Sequence, residues 1–136
     1  RIGDLDEDAR GRCLDKLRGF GEQGYRVLAV AQRSVARPAG FRATDERELT
    51  LLGFLTFTDH LIDGVAEVVD RLRRDGVEVK ILTGDNELVA RHVCGEAGID
   101  GERIVLGSEV ERMDEAALAR VAENTRVFAR VSPAQK

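Results

Sequence analysis

The sequence predicts an α/β protein: a mostly parallel, Rossmann-like sheet with helices on both faces, preceded by an α-β-β unit. Two observations carry this. From Asp63 onward, short β-rich runs alternate with stretches of helical periodicity, the pattern of strands joined by crossover helices. Before that point one helical stretch is followed by two β-rich runs with no helix between them.

The elements follow in order. Asp6 to about Gly21 is expected to be a helix, with Ala9, Cys13, Leu14, Leu17 and Phe20 near one face, ended by Gly21 and Gly24. Tyr25–Arg33 reads as a strand, and Ser34–Thr44, with Pro38 and Gly40, as a loop. Glu48–Thr58 (ELTLLGFLTFT) reads as a second strand, apolar enough to be buried on both faces. Asp63–Asp75 is expected to be a helix with Val65, Val68, Val69 and Leu72 inward, and Val77–Leu82 a short strand. Asn86–Ala97 forms the next helix and Arg103–Leu106 the next strand. Two short helices follow, near Glu109–Met113 and Asp114–Ala122. Arg126–Arg130 is the last strand, with Ser132 capping what comes after. A unit boundary is expected near Thr58.

Composition narrows the class. The 136 residues are 43% hydrophobic and 34% charged, a globular balance. No apolar run approaches the ~20 residues needed to cross a bilayer. The net charge of −4, with one Tyr and no Trp, argues against nucleic-acid binding. Cys13 and Cys94 make no disulfide framework and are expected to be reduced, buried and cytosolic. The chain starts at Arg1 without Met and stops at Lys136 inside a helix start, so excision from a longer protein is expected.

The strongest chemical motif is Ile81-Leu82-Thr83-Gly84-Asp85-Asn86, a strand end, a tight turn and a helix start. Ligands of open α/β sheets sit beyond the carboxyl ends of strands, and a helix N-terminus attracts anions. The Thr83 hydroxyl can bond a phosphoryl oxygen, and Gly84 allows close approach of backbone. The same residues also suit an ordinary strand-to-helix turn capped by Asp85 or Asn86. The second motif is Phe128-Ala129-Arg130-Val131-Ser132-Pro133-Ala134-Gln135-Lys136, in which a strand end is followed by a lysine able to neutralise phosphate. By itself that lysine is a surface residue.

Together these segments resemble the phosphorylation domain of P-type cation-transporting ATPases, a domain of haloacid-dehalogenase-like fold. Gly53–Asp59 (GFLTFTD) resembles the segment leading into that domain, and Glu22–Arg33 (EQGYRVLAVAQR) resembles the end of the pumps' nucleotide-binding domain. The run from Ile81 through Val121 is most similar to the magnesium-importing branch. The resemblance implies that residues 1–58 are the C-terminal part of a nucleotide-binding domain and 59–136 part of a phosphorylation domain. It implies a catalytic set in which Thr83 contacts the phosphoryl group, Gly84 shapes its turn, Asp85 lies near the nucleotide ribose or phosphates, and Lys136 stabilises the aspartyl-phosphate. It further implies that Arg26, Leu28, Asp59 and Arg130 serve nucleotide binding, with Arg26 on the ATP phosphates and Leu28 near adenine.

Departures accompany the likeness. The family's Asp-Pro-Pro-Lys/Arg hinge is here Asp59-His60-Leu61-Ile62, softer without its prolines and lacking the cation. No Asp-Lys-Thr-Gly-Thr or Gly-Asp-Gly-x-Asn-Asp segment is present, so the phosphate-accepting aspartate and the Mg²⁺ ligands of the parent pump are expected outside this chain. The expectation is a cytoplasmic, membrane-free segment of an ATP-driven, Mg²⁺-dependent pump, with the rest of that pump as its partner. The segment itself is expected to be inactive and marginally stable. A free-standing phosphatase of the same fold would need an early nucleophile, and Asp4, Asp6 and Asp8 precede a helix instead of following a strand. A non-catalytic nucleotide-binding module is the other alternative.

Gly19-Phe20-Gly21-Glu22-Gln23-Gly24 matches the dinucleotide pattern G-x-G-x-x-G. It follows a helix and precedes a strand, the reverse of the required order, so it reads as helix termination. His60 and His92 lack zinc-ligand spacing, and Glu109–Glu115 reads as solvated helix surface.

Overall fold

A computed structural model describes residues 6–34, 40 and 42–135. The opening helix α1 spans Glu7–Glu22, and the Asp6 carboxylate accepts from Ala9 N at 2.6 Å, capping the first turn. Strands β1 (Arg26–Gln32) and β2 (Thr50–Phe57) form an antiparallel pair, with a register shift between Val30 and Ala31. The loop expected at Ser34–Thr44 lies partly outside the described residues; its end is a 3₁₀ turn, Ala43–Asp45.

The remaining elements are α2 (Val65–Arg74), β3 (Ile81–Leu82), α3 (Glu87–Glu96), β4 (Ile104–Leu106), α4 (Gly107–Val110), α5 (Glu115–Glu123), β5 (Val127–Ala129) and a 3₁₀ turn, Pro133–Gln135. The three strands form a parallel sheet in the order β3-β5-β4. Caps match the sequence: Asn86 Oδ1 accepts from Leu88 N and Val89 N, each at 3.0 Å, and Asp114 Oδ1 accepts from Ala117 N at 2.7 Å.

Helices cover both faces of this sheet, as expected. On one face Ala90, Cys94, Ala97 and Ile99 pack on Val127 and Ala129, with Val65 and Val69 of α2 against them. On the other, Val105, Phe128 and Val131 meet Val110, Met113, Val121 and Ala122. Alternation along β5 sends Phe128 to the opposite face from its neighbours. Cys94 is buried and Cys13 half-buried, both as free thiols.

Several expectations need correction. Strand β2 is not buried on both faces: Leu52, Leu55 and Phe57 are half or more exposed, because among the described residues its sheet has only two strands and α1 covers one side. Val68 on α2 and Leu14 on α1 face solvent, since each helix is covered along only a narrow stripe. The strand expected at Val77–Leu82 shrinks to Ile81–Leu82, where pairing with β5 begins. Among the described residues β3 pairs on one edge only.

Candidate functional site

The carboxyl ends of β3 and β5 are zipped together. Thr83 N donates to Phe128 O at 2.9 Å, Val131 N to Thr83 O at 2.9 Å, and Arg130 N to Asp85 O at 2.8 Å. Holding the two turns edge to edge places Arg130 in the left-handed region, φ 54°. Both motifs singled out in the sequence therefore open onto one rim of the sheet. Lys136, the lysine expected there, lies outside the described residues.

Within the turn, Thr83 Oγ1 donates to Asp85 Oδ2 at 2.9 Å and accepts from Asp85 N at 3.1 Å. The hydroxyl is thereby oriented by its own loop. Gly84 is not at positive φ, and an added Cβ would meet only Val131 O, at 3.8 Å. What the glycine leaves is open space in front of the turn. Asn86, not Asp85, caps α3, so the Asp85 carboxylate is free for another partner.

That partner is Arg26, brought from β1. Arg26 Nε lies 2.7 Å from Asp85 Oδ1 and Nη2 lies 3.2 Å from Oδ2, a forked contact; Nη2 also reaches Asp59 Oδ2 at 2.9 Å. The Asp85 hydrogen bond and charge, with Asp59 adding to them, raise the Arg26 pKa and keep it cationic. The structure thus gathers Arg26, Asp59, Thr83, Gly84 and Asp85. Leu28 shares the outer face of β1 with Arg26, and across the strand pair they oppose Leu55 and Phe57. Leu28, Leu55 and Phe57 are 59%, 53% and 50% exposed, an uncovered apolar face beside the cation.

Arg130 turns away from this group. Its Nε bonds Glu87 Oε2 at 3.1 Å in the first turn of α3. The Glu87 carboxyl is held below its ordinary range, first by a backbone N–H and then by Arg130.

A cleft of about 340 Å³ lies behind Asp59, between the start of β1, the 58–61 segment and α3, and both His60 and His92 line it. The fold thus joins two histidines that sequence spacing kept apart. Among the described residues no group of three or more His, Cys, Asp and Glu could hold a metal. Two other cavities share Glu78, Asp100 and Arg126, and Thr83 lines neither.

This α/β core with a strand-end Thr-Gly-Asp turn agrees with comparison to known sequences: a profile of haloacid dehalogenase-like hydrolases matches residues 6–127. The chain belongs to the haloacid dehalogenase-like hydrolase family. Within that family the resemblance to P-type cation pumps is borne out. The chain is 40% identical over 139 residues to "Magnesium-transporting ATPase, P-type 1" of Salmonella typhimurium, covering all of this chain and 15% of that protein. It is 42% identical over 115 residues to the protein of the same name in Escherichia coli K12, covering 84% of this chain and 13% of the relative. A "Probable cation-transporting ATPase I" of Mycobacterium leprae is 35% identical over 149 residues, covering 100% and 9%. The haloacid dehalogenase-like chain described here therefore spans a small part of these relatives' length. Among its described residues no helix is long and apolar enough to cross a membrane.

Proposed function

We propose that this chain is a nucleotide- and phosphoryl-handling segment of an ATP-driven cation pump, with Mg²⁺ as the transported ion. In this reading residues 1–58 close a nucleotide-binding domain and 59–136 contribute to the phosphorylation domain, on the cytoplasmic side of the membrane. The observation that carries it is the fork from Arg26 on β1 to Asp85 in the turn after β3. It sets an exposed apolar strand face and a cation directly beside a turn suited to phosphate.

The chemistry follows from these groups. Leu28, Leu55 and Phe57 offer a flat apolar surface for a purine, and Arg26, two residues from Leu28, meets the phosphates as a bidentate donor. Incoming phosphate competes with Asp59 and Asp85 for the guanidinium. Thr83 Oγ1 faces the transferred phosphoryl group at the N-terminal end of α3, whose partial positive charge favours an anion. Lys136 supplies a further positive charge there, and Arg130 braces the rim through Glu87. The unpaired edge of β3 among the described residues suits a parallel strand delivering an aspartate beside Thr83.

The test is a titration of the chain with a non-hydrolysable ATP analogue, followed by NMR at the Leu28 and Leu55 methyls, Arg26 Nε–H and the Thr83 amide. Saturable shifts at all four, weakened by Arg26→Met, are expected, with no phosphate release from ATP. Unchanged spectra at millimolar nucleotide would refute the proposal.

A further inference from the structure

The glycines of the G-x-G-x-x-G stretch have a use that neither helix termination nor phosphate chemistry explains. Gly21 and Gly24 are buried, and both abut α3. A Cβ on Gly21 would lie 3.0 Å from Leu88 Cδ1, and one on Gly24, at φ +80°, would lie 2.3 Å from His92 Cδ2. Leu88 and His92 are one turn apart on the same side of α3. The two glycines therefore let the end of α1 and the turn into β1 lie directly on that helix.

His92 adds a polar clamp to this seam. Its Nδ1 lies 3.1 Å from Glu22 O, and because a carbonyl only accepts, Nδ1 carries the proton. Its Nε2 lies 3.4 Å from Glu96 Oε1, a second partner when the ring is doubly protonated. Asp59 and His60 line the same cleft from the 58–61 segment.

We propose that His92 is a positioning residue for Arg26: by holding the Glu22 carbonyl over Gly24, it fixes the start of β1 so that the guanidinium meets Asp85. The geometry is a two-ended tie. Asp85 precedes the Asn86 cap of α3, and His92 lies in the middle of that helix. Glu22 and Arg26 flank the short turn into β1. Two rigid elements joined at His92–Glu22 close on each other at Arg26–Asp85. Without the clamp, the turn can swing about the Gly21–Leu88 contact and Arg26 loses its register with the Thr-Gly-Asp turn. The functional reading enters only in what Arg26 then binds.

The experiment is hydrogen exchange and chemical shift at Arg26 Nε–H in the 136-residue chain, without nucleotide. Two variants separate the clamp from simple packing: His92→Gln keeps an N–H donor, and His92→Phe keeps a ring against Gly24 without one. The wild type and His92→Gln are expected to show a protected Arg26 Nε–H. In His92→Phe it exchanges about fivefold faster, the factor corresponding to one net hydrogen bond. Gly24→Ala, which pushes the imidazole aside, gives the same loss. Wild-type protection persisting in His92→Phe, or lost in His92→Gln, overturns the proposal, as does an unprotected Arg26 in the wild type. Adding the ATP analogue to wild type reads the functional assignment separately, through the Leu28 methyls.

Discussion

Arg26 contacts two carboxylates in different settings, and the difference predicts unequal coupling. Asp85 receives two nitrogens of the fork and its side chain is 25% exposed; Asp59 receives one and is 72% exposed. A single exposed ion pair contributes about 0.3 kcal/mol, whereas a forked, partly desolvated pair contributes roughly 1–1.5 kcal/mol. Double-mutant cycles pairing Arg26→Met with Asp85→Asn and with Asp59→Asn isolate each value. The assay is urea unfolding, which leaves ionic strength unchanged. With a slope of about 2 kcal/mol per molar, the Asp85 coupling shifts the midpoint by roughly 0.5–0.7 M and the Asp59 coupling by about 0.15 M. Both should shrink on adding salt, Asp59 the more completely. Equal couplings, or a larger one for Asp59, would show that Arg26 is not seated on the Thr-Gly-Asp turn.

Three further outcomes are expected. Thr125 is 1% exposed and its hydroxyl has no partner, so Thr125→Val should stabilise the chain by about 1 kcal/mol in the same urea assay, and a destabilised variant would count against an orphaned hydroxyl there. The lowered Glu87 pKa implies stability that is present above the unfolded glutamate value of about 4.3 and is lost as pH falls through the folded one. Glu87→Gln should therefore flatten the acid limb of the stability profile by a few tenths of a kcal/mol, given the pair's exposure; an unaltered limb refutes this. Burial raises the Cys94 thiol pKa, so a thiol reagent should label half-buried Cys13 in the native chain and Cys94 only on unfolding, with equal labelling rates contradicting the packing.

The sequence alone determined the order and type of nearly every element, because local signals suffice for that. Asp6, Asn86 and Asp114 each cap the helix that follows them, and the alternation of short apolar runs with helical stretches fixed the open α/β class. It also marked the Thr-Gly-Asp turn, since a motif is a statement about neighbours in the chain, whereas Arg26 stood out only through the resemblance to the pumps. Only the tertiary structure decided which apolar residues stay outside. Leu52, Leu55, Phe57 and Val68 have core chemistry, yet burial depends on what packs opposite, which no residue records by itself. Likewise the Arg26–Asp85 fork and the His92–Glu22 clamp join residues 59 and 70 positions apart. The G-x-G-x-x-G stretch makes the same point, because the close approach that Gly21 and Gly24 permit is to α3, a helix distant in the chain and adjacent only after folding.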